Sequence, residues 1–137
     1  MPTRYMLDTN MASYVIKGNI PRVRERLLKA QVSISAVTEG ELRFGVARRP
    51  EAVRLETAVE EFLLRVEALP WGSEAARRYG PLRAALERTG QPTGNLDMMI
   101  AVHALAAQAV LVTNDRIFGR VKGLKTADWS QPSHEVR

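Results

Sequence analysis

From Leu96 to Ala107 the chain is apolar on nearly every side of a helical wheel, so a helix there must be buried. After a short break Val110-Leu111-Val112-Thr113 reads as a strand, and Asn114-Asp115 turns the chain. The same alternation runs upstream. Tyr5-Met6-Leu7 is a short strand ending at the helix-capping residues Asp8-Thr9-Asn10, and Met11 to Lys17 reads as a helix stopped by Gly18-Asn19. Pro21 opens a second helix carrying Arg22, Arg24, Arg26 and Lys29. Val32-Ser33-Ile34 alternates as a strand, and Ser35 caps a helix from Ala36 to about Ala47. A further helix is expected from Pro50 to about Leu64, then a strand from Val66 to Leu69. A helix from Ser73 to Thr89 follows, with a kink or break at Gly80-Pro81, and an edge strand at Leu124 to Ala127. Strands alternating with helices predict an α/β fold with a mostly parallel central sheet flanked by helices. The 137 residues suit one domain, expected over 1–129, with a polar tail at 130–137.

Composition removes whole classes of chemistry. With no cysteine the chain has no disulfide, thiolate zinc site or thiol nucleophile, and with only His103 and His134 it has no histidine-rich metal cage. No apolar run approaches the roughly 18 residues of a membrane span, and a carboxylate at Asp8 comes too early for a signal peptide. A cytoplasmic protein is therefore expected. Twenty Lys and Arg against fifteen Asp and Glu leave a net charge of +5, which suits a polyanionic partner. A basic rim is expected from among Arg48, Arg49, Arg77, Arg78, Arg83, Arg88, Arg116 and Arg120, because guanidinium binds phosphate bidentately.

In parallel sheets, ligands bind beyond the carboxyl ends of the strands, where Asp8 and Asp115 stand. Asp8 and Asp97 can each serve as a helix cap, and Asp115 as a turn residue. Glu41 is harder to explain structurally. At about 100° per residue, Val37, Leu42, Phe44, Gly45 and Val46 span one broad face, and Glu41 falls inside it. Glu39 and Arg43 fall on the opposite side as an exposed pair. A carboxylate turned inward is costly unless a cation or a metal ion meets it.

The segments Met6-Leu7-Asp8-Thr9-Asn10, Ser35-Ala36-Val37-Thr38-Glu39-Gly40-Glu41-Leu42, Leu96-Asp97-Met98-Met99-Ile100-Ala101 and Val112-Thr113-Asn114-Asp115 resemble, in order and spacing, the four acidic motifs of VapC-type PIN-domain toxins. The resemblance runs from about Tyr5 to Trp129. It departs from the pattern at Ile117, where many relatives carry a further acid before the equivalent of Phe118. It implies a site built from Asp8, Glu41, Asp97 and Asp115, with Asp8 and Asp97 as main metal ligands. Glu41 and Asp115 would complete the site or orient water, and Asp115 alone supplies the fourth corner.

The chemistry of the residues agrees with this expectation. Hard oxygen donors suit Mg²⁺, with Mn²⁺ as a substitute. Two carboxylates about 4 Å apart repel by roughly 4 kcal/mol at an effective dielectric near 20, so without a cation one of the group should hold a proton. Thr9, Asn10, Thr113 and Asn114 flank the acids and can orient them, or serve as caps and turn formers. The expected activity is hydrolysis of an RNA phosphodiester by metal-activated water, with tRNA among the candidate substrates. The resemblance also implies a cognate VapB-type antitoxin and a homodimer, with Pro21 to Leu28 and Pro50 to Leu64 as candidate surfaces. His103, Trp71, Tyr79 and Trp129 are read as core or rim residues. A haloacid dehalogenase-type phosphatase needs a second aspartate where Asn10 stands. A DNA-directed flap-type nuclease and a non-catalytic, antitoxin-binding co-repressor remain the alternatives.

Overall fold

Short parallel strands carry the molecule. The computed structural model describes residues 2–18, 25–27 and 31–130. Within them β1 (Arg4–Leu7), β2 (Gln31–Ser35), β3 (Glu67–Leu69), β4 (Val110–Val112) and β5 (Thr126–Ala127) form one sheet in the order β3-β2-β1-β4-β5. Every pairing is parallel. Leu7 stands opposite both Ile34 and Val112, Ser35 opposite Leu69, and Val112 opposite Ala127. The helices are α1 (Thr9–Lys17), α2 (Ala36–Ala47), α3 (Val53–Arg65), α4 (Ser73–Arg88) and α5 (Asn95–Ala106), with a 3-10 turn at Arg116–Arg120.

Side chains alternate across the pleat, which divides the core in two. Leu7, Ile34, Val110 and Val112 pack with Met11, Val15, Leu42, Val59 and Phe62 from α1, α2 and α3. Met6 and Leu111 point the other way, against Ile100, Ala101 and Ala104 of α5 and against Phe118 and Val121. Met6 and Leu7 are both wholly buried, one on each face, and burial of such side chains contributes about 1.5–3 kcal/mol each. A sheet covered on both faces has strands that read as continuous apolar runs, as Val110-Leu111-Val112 does.

Local chemistry sets several boundaries. Asp8 caps α1 through its side chain, so α1 begins at Thr9, two residues ahead of the expected start. Gly18 ends it in the left-handed region at φ 71°, donating its N–H to the carbonyls of Tyr14 and Val15. Ser35 caps α2 by accepting from the Val37 N–H, and α2 ends at Ala47 as expected. The edge strand is shorter than expected and begins at Thr126, after the 3-10 turn and Gly123 (φ +86°).

Other expectations are corrected. The helix assigned from Pro50 begins at Val53, after a turn in which the Ala52 N–H bonds to the Arg49 carbonyl. Helix α4 runs without a break through Gly80-Pro81. A proline removes one N–H, but Pro81 and Arg77, four residues before it, are both exposed, so water can satisfy the freed carbonyl. Phe44 does not join the core. It is 63% exposed and meets the Arg48 guanidinium at 5.3 Å, because the buried side of α2 centres on Thr38 and Leu42. Most of the helix expected from Pro21 lies outside the described residues; Glu25, Arg26 and Leu27 are helical.

Candidate active site

Asp8 follows β1 directly and extends its ladder, donating its N–H to the Val112 carbonyl at 3.1 Å. Its side chain is buried, with Oδ1 accepting from the Met11 N–H at 2.8 Å and the Thr113 hydroxyl donating to the same carboxylate. Burial pushes the Asp8 carboxyl up to about 6. The bonds from Thr113 and Met11 oppose that rise, while the charges of Asp97 and Asp115 add to it. Carboxylate repulsion is the cause expected from the sequence. In the structure desolvation is the larger cause, because Asp8 sits at the floor of the cluster between two strands.

Asp97 lies in the first turn of α5, behind a Gly94 cap that offers no side-chain bond. The helix N-terminus favours its charge. Burial nonetheless raises its pKa, and Asp115 and Glu41 raise it further. Glu41 is half-buried in the middle of α2, and its Oε1 accepts from Thr9 Oγ1 at 2.8 Å. Asp115 is exposed and caps the 3-10 turn, with Oδ1 accepting from the Ile117 N–H at 3.0 Å. Its own N–H donates to Thr113 Oγ1 at 3.0 Å. One hydroxyl therefore ties Asp8 to Asp115.

The four acids interact as a set: Asp8 with Asp97 and Asp115, and Asp97 with Asp115 and Glu41. None of them joins an ion pair among the described residues. No three acidic or histidine side chains among those residues converge closely enough to make a ready ion cage. Hard oxygen donors without a balancing cation suit a divalent ion that keeps some of its waters, as Mg²⁺ does.

The flanking residues divide. Thr9 and Thr113 bond to the acids, while Asn10 and Asn114 are exposed, with no side-chain hydrogen bond among the described residues. Glu39 pairs with Arg43 at 2.8 Å on the outer side of α2, and Arg43 also reaches Glu60 of α3 at 2.9 Å. His103 is buried, with Nδ1 2.7 Å from Ser35 Oγ. Trp129 is fully buried, and the Trp71 indole donates to the Met99 carbonyl at 2.9 Å. Arg77 and Arg83 are engaged by Glu74 and Glu87, whereas Arg78, Arg88 and Arg116 are exposed and in no ion pair among the described residues. Two partners of these residues come from distant positions in the chain. Buried Thr38 stands 3.2 Å from the Thr9 hydroxyl, and Ser35 serves His103 as well as α2. A capping serine is legible locally, but a partner 68 positions away is not.

The family model described as the PIN domain matches residues 5–124, which include all four acids. The chain belongs to the PIN-domain family. This PIN domain is 41% identical to the tRNA(fMet)-specific endonuclease VapC of Shigella flexneri, over 93% of this chain and 98% of that protein. It is similar to the crystal structure of DNA-bound VapBC from Salmonella typhimurium, with 38% identity and a TM-score of 0.87, covering 93% of this chain and 98% of that one. VapBC2 from Rickettsia felis, bound to a DNA fragment from its promoter, matches at 31% identity with a TM-score of 0.84, covering 90% and 97%. The fold expected from the alternation of strands and helices, a single PIN domain with a parallel sheet between helices, is the fold of these VapC proteins.

Proposed function

We propose that this PIN domain is the ribonuclease toxin of a type II toxin–antitoxin pair, cleaving RNA phosphodiester bonds with a divalent cation. The observation that carries the reading is Asp8, a buried carboxyl pushed up to about 6 beside Asp97 and Asp115 and in no ion pair among the described residues. Such a cluster takes up a proton or a cation to relieve its charge, and a divalent ion can relieve several carboxylates at once. Asp8 and Asp97 would be the main ligands of Mg²⁺, with Mn²⁺ as a substitute, and Glu41 and Asp115 would complete the site or orient water. When bound, the ion supplies Lewis-acid activation of water and stabilises the leaving oxygen. Thr9 holds Glu41, and Thr113 holds Asp8 to Asp115. Free arginines such as Arg116 receive the RNA backbone.

The name of the Shigella relative makes tRNA the first substrate to test. A cognate VapB-type antitoxin is the expected partner, since the similar structures are VapBC complexes. A homodimer and a cytoplasmic location are part of the same proposal. No helix among the described residues is long and apolar enough to cross a membrane.

The test is cleavage of matched RNA and DNA by the purified chain in Mg²⁺ and in EDTA, with Asp97→Asn alongside. Cleavage of RNA alone, lost in EDTA and in the variant, is expected. Undiminished cleavage by chelated protein overturns the metal mechanism, and preferential cutting of DNA restores the flap-type alternative.

A further inference from the structure

On the β5 side of the acids lies a cavity of about 400 Å³ lined by Thr113, Asp115, Arg116, Gly119, Leu124 and Thr126. It shares two walls with the acidic cluster. Asp115 is itself one of the four acids, and its N–H donates to the Thr113 hydroxyl oxygen at 3.0 Å. The cavities between α1 and α3, at the amino-terminal edge of the sheet, and beside His103 share none of the four acids. The remaining walls have mixed chemistry: one guanidinium, a second hydroxyl and an aliphatic surface. Arg116 is exposed and in no ion pair among the described residues.

Gly119 stands in the lining of the cavity. Its φ is not in the left-handed region, and a Cβ built there meets nothing within 4 Å. Neither backbone strain nor packing requires a glycine at this position. A side chain there would extend into open space at the wall of the cavity.

We propose that this cavity receives the nucleotide adjoining the scissile phosphate, with its sugar and base against Leu124 and Gly119 and its outer phosphate on Arg116. The proposal rests on the RNA-cleaving reading and adds a subsite to it. The volume falls within the ordinary range for small-molecule pockets. A guanidinium is the side chain best matched to phosphate, and Thr126 offers a hydroxyl to a ribose 2′-OH. A strand whose phosphate lies among Asp8, Asp97 and Asp115 has this cavity beside it, so the subsite would select at the nucleotide next to the cut.

The test is an NMR titration of the isotope-labelled full chain with the four nucleoside 5′-monophosphates, and with inorganic phosphate as the control. Nucleotides should shift the backbone amides of Arg116, Gly119 and Thr126, and phosphate alone should leave Gly119 and Thr126 in place. Gly119→Leu and Arg116→Ala should each weaken nucleotide binding about tenfold or more, with Arg116→Lys recovering part of the loss. In tRNA cleavage, Gly119→Leu should raise KM with little change in kcat and an unchanged melting temperature. Nucleotide shifts confined to other parts of the surface, or an unchanged KM in a folded Gly119→Leu protein, overturn the subsite. A wild-type chain that binds nucleotides here yet cuts no RNA overturns the ribonuclease reading and leaves the binding site standing.

Discussion

Thr9 Oγ1 donates to Glu41 Oε1 at 2.8 Å, joining the first residue of α1 to the middle of α2 across 32 positions of sequence. Because Thr9 follows Asp8 directly, this bond sets Glu41 relative to the buried carboxylate at the end of β1. Glu39, two residues earlier on the same helix, turns outward to Arg43.

The two glutamates should therefore behave differently. Glu41→Gln keeps an acceptor for Thr9 and removes one charge beside Asp97, so the fold should persist while cleavage falls by about a hundredfold or more. Thr9→Val leaves the carboxylate in place without its donor and should cost less, about tenfold. Glu39→Gln breaks one arm of an exposed pair and should keep full activity, with no measurable change in melting temperature. RNA cleavage and thermal melts of all three variants check this. Equal losses in Glu39→Gln and Glu41→Gln would exclude Glu41 from a special role.

Asp8 should make stability depend on pH. Its folded-state pKa is raised from 3.8 to about 6, so the folded protein holds the proton more tightly than the unfolded chain. That contribution is fully present below about pH 4 and is lost as pH rises through about 6. A shift of about two units corresponds to about 3 kcal/mol. Asp8→Asn keeps a capping side chain, so it should be more stable than wild type above pH 6, with the gain vanishing near pH 4. Urea unfolding at about pH 4.0, the lower end of this shift, and at about pH 7.5, above its upper end, measures the difference. A gain that is the same at both pH values would mean that the charge of Asp8 is not what burial penalises.

Divalent ions should stabilise the folded chain, because a ligand that binds only the native state raises its melting temperature. Mg²⁺ or Mn²⁺ should raise the melting temperature of wild type at pH 7.5 (~7.5 lies above the shifted Asp8 range), with little effect on Asp97→Asn. Calorimetry in each ion, with EDTA as the blank, checks this. Equal stabilisation of wild type and Asp97→Asn would remove Asp97 from the ligand set.

His103 should act in the opposite direction to Asp8. Its burial lowers the imidazole pKa below 6.5, so the folded state favours the neutral ring. Stability from this group is present above about pH 6.5 and is lost as pH falls through the lowered folded value. His103→Gln retains a partner for Ser35 and should abolish this acid-side loss. His103→Phe leaves the buried serine hydroxyl short of one partner and should cost about 1–3 kcal/mol above about pH 6.5, the difference shrinking on the acid side as wild type loses stability. Unfolding curves from pH 5 to 8 (about the range spanning the ordinary imidazole value) for the three proteins separate these effects.

What the amino-acid sequence determined by itself is whatever acts within one turn or one strand. Asp8 and Ser35 cap the helices that follow them, Gly18 stops α1, and the apolar run Val110-Leu111-Val112 reads as a strand buried on both faces. The helical period was enough to part Glu41 from Glu39 on α2, but it misplaced Phe44, because period alone does not say where the buried arc is centred. Only the tertiary structure decided that centre, since Leu42 packs in the core with α1 and α3. The parallel register likewise sets the end of β1 between the ends of β2 and β4, and this brings Thr113 to Asp8. The four acids were legible as a set from their motifs. The proton affinity of Asp8 was not, because desolvation depends on every atom that excludes water from the carboxylate. Those atoms come from segments far apart in the chain, as does the Ser35 hydroxyl that meets His103.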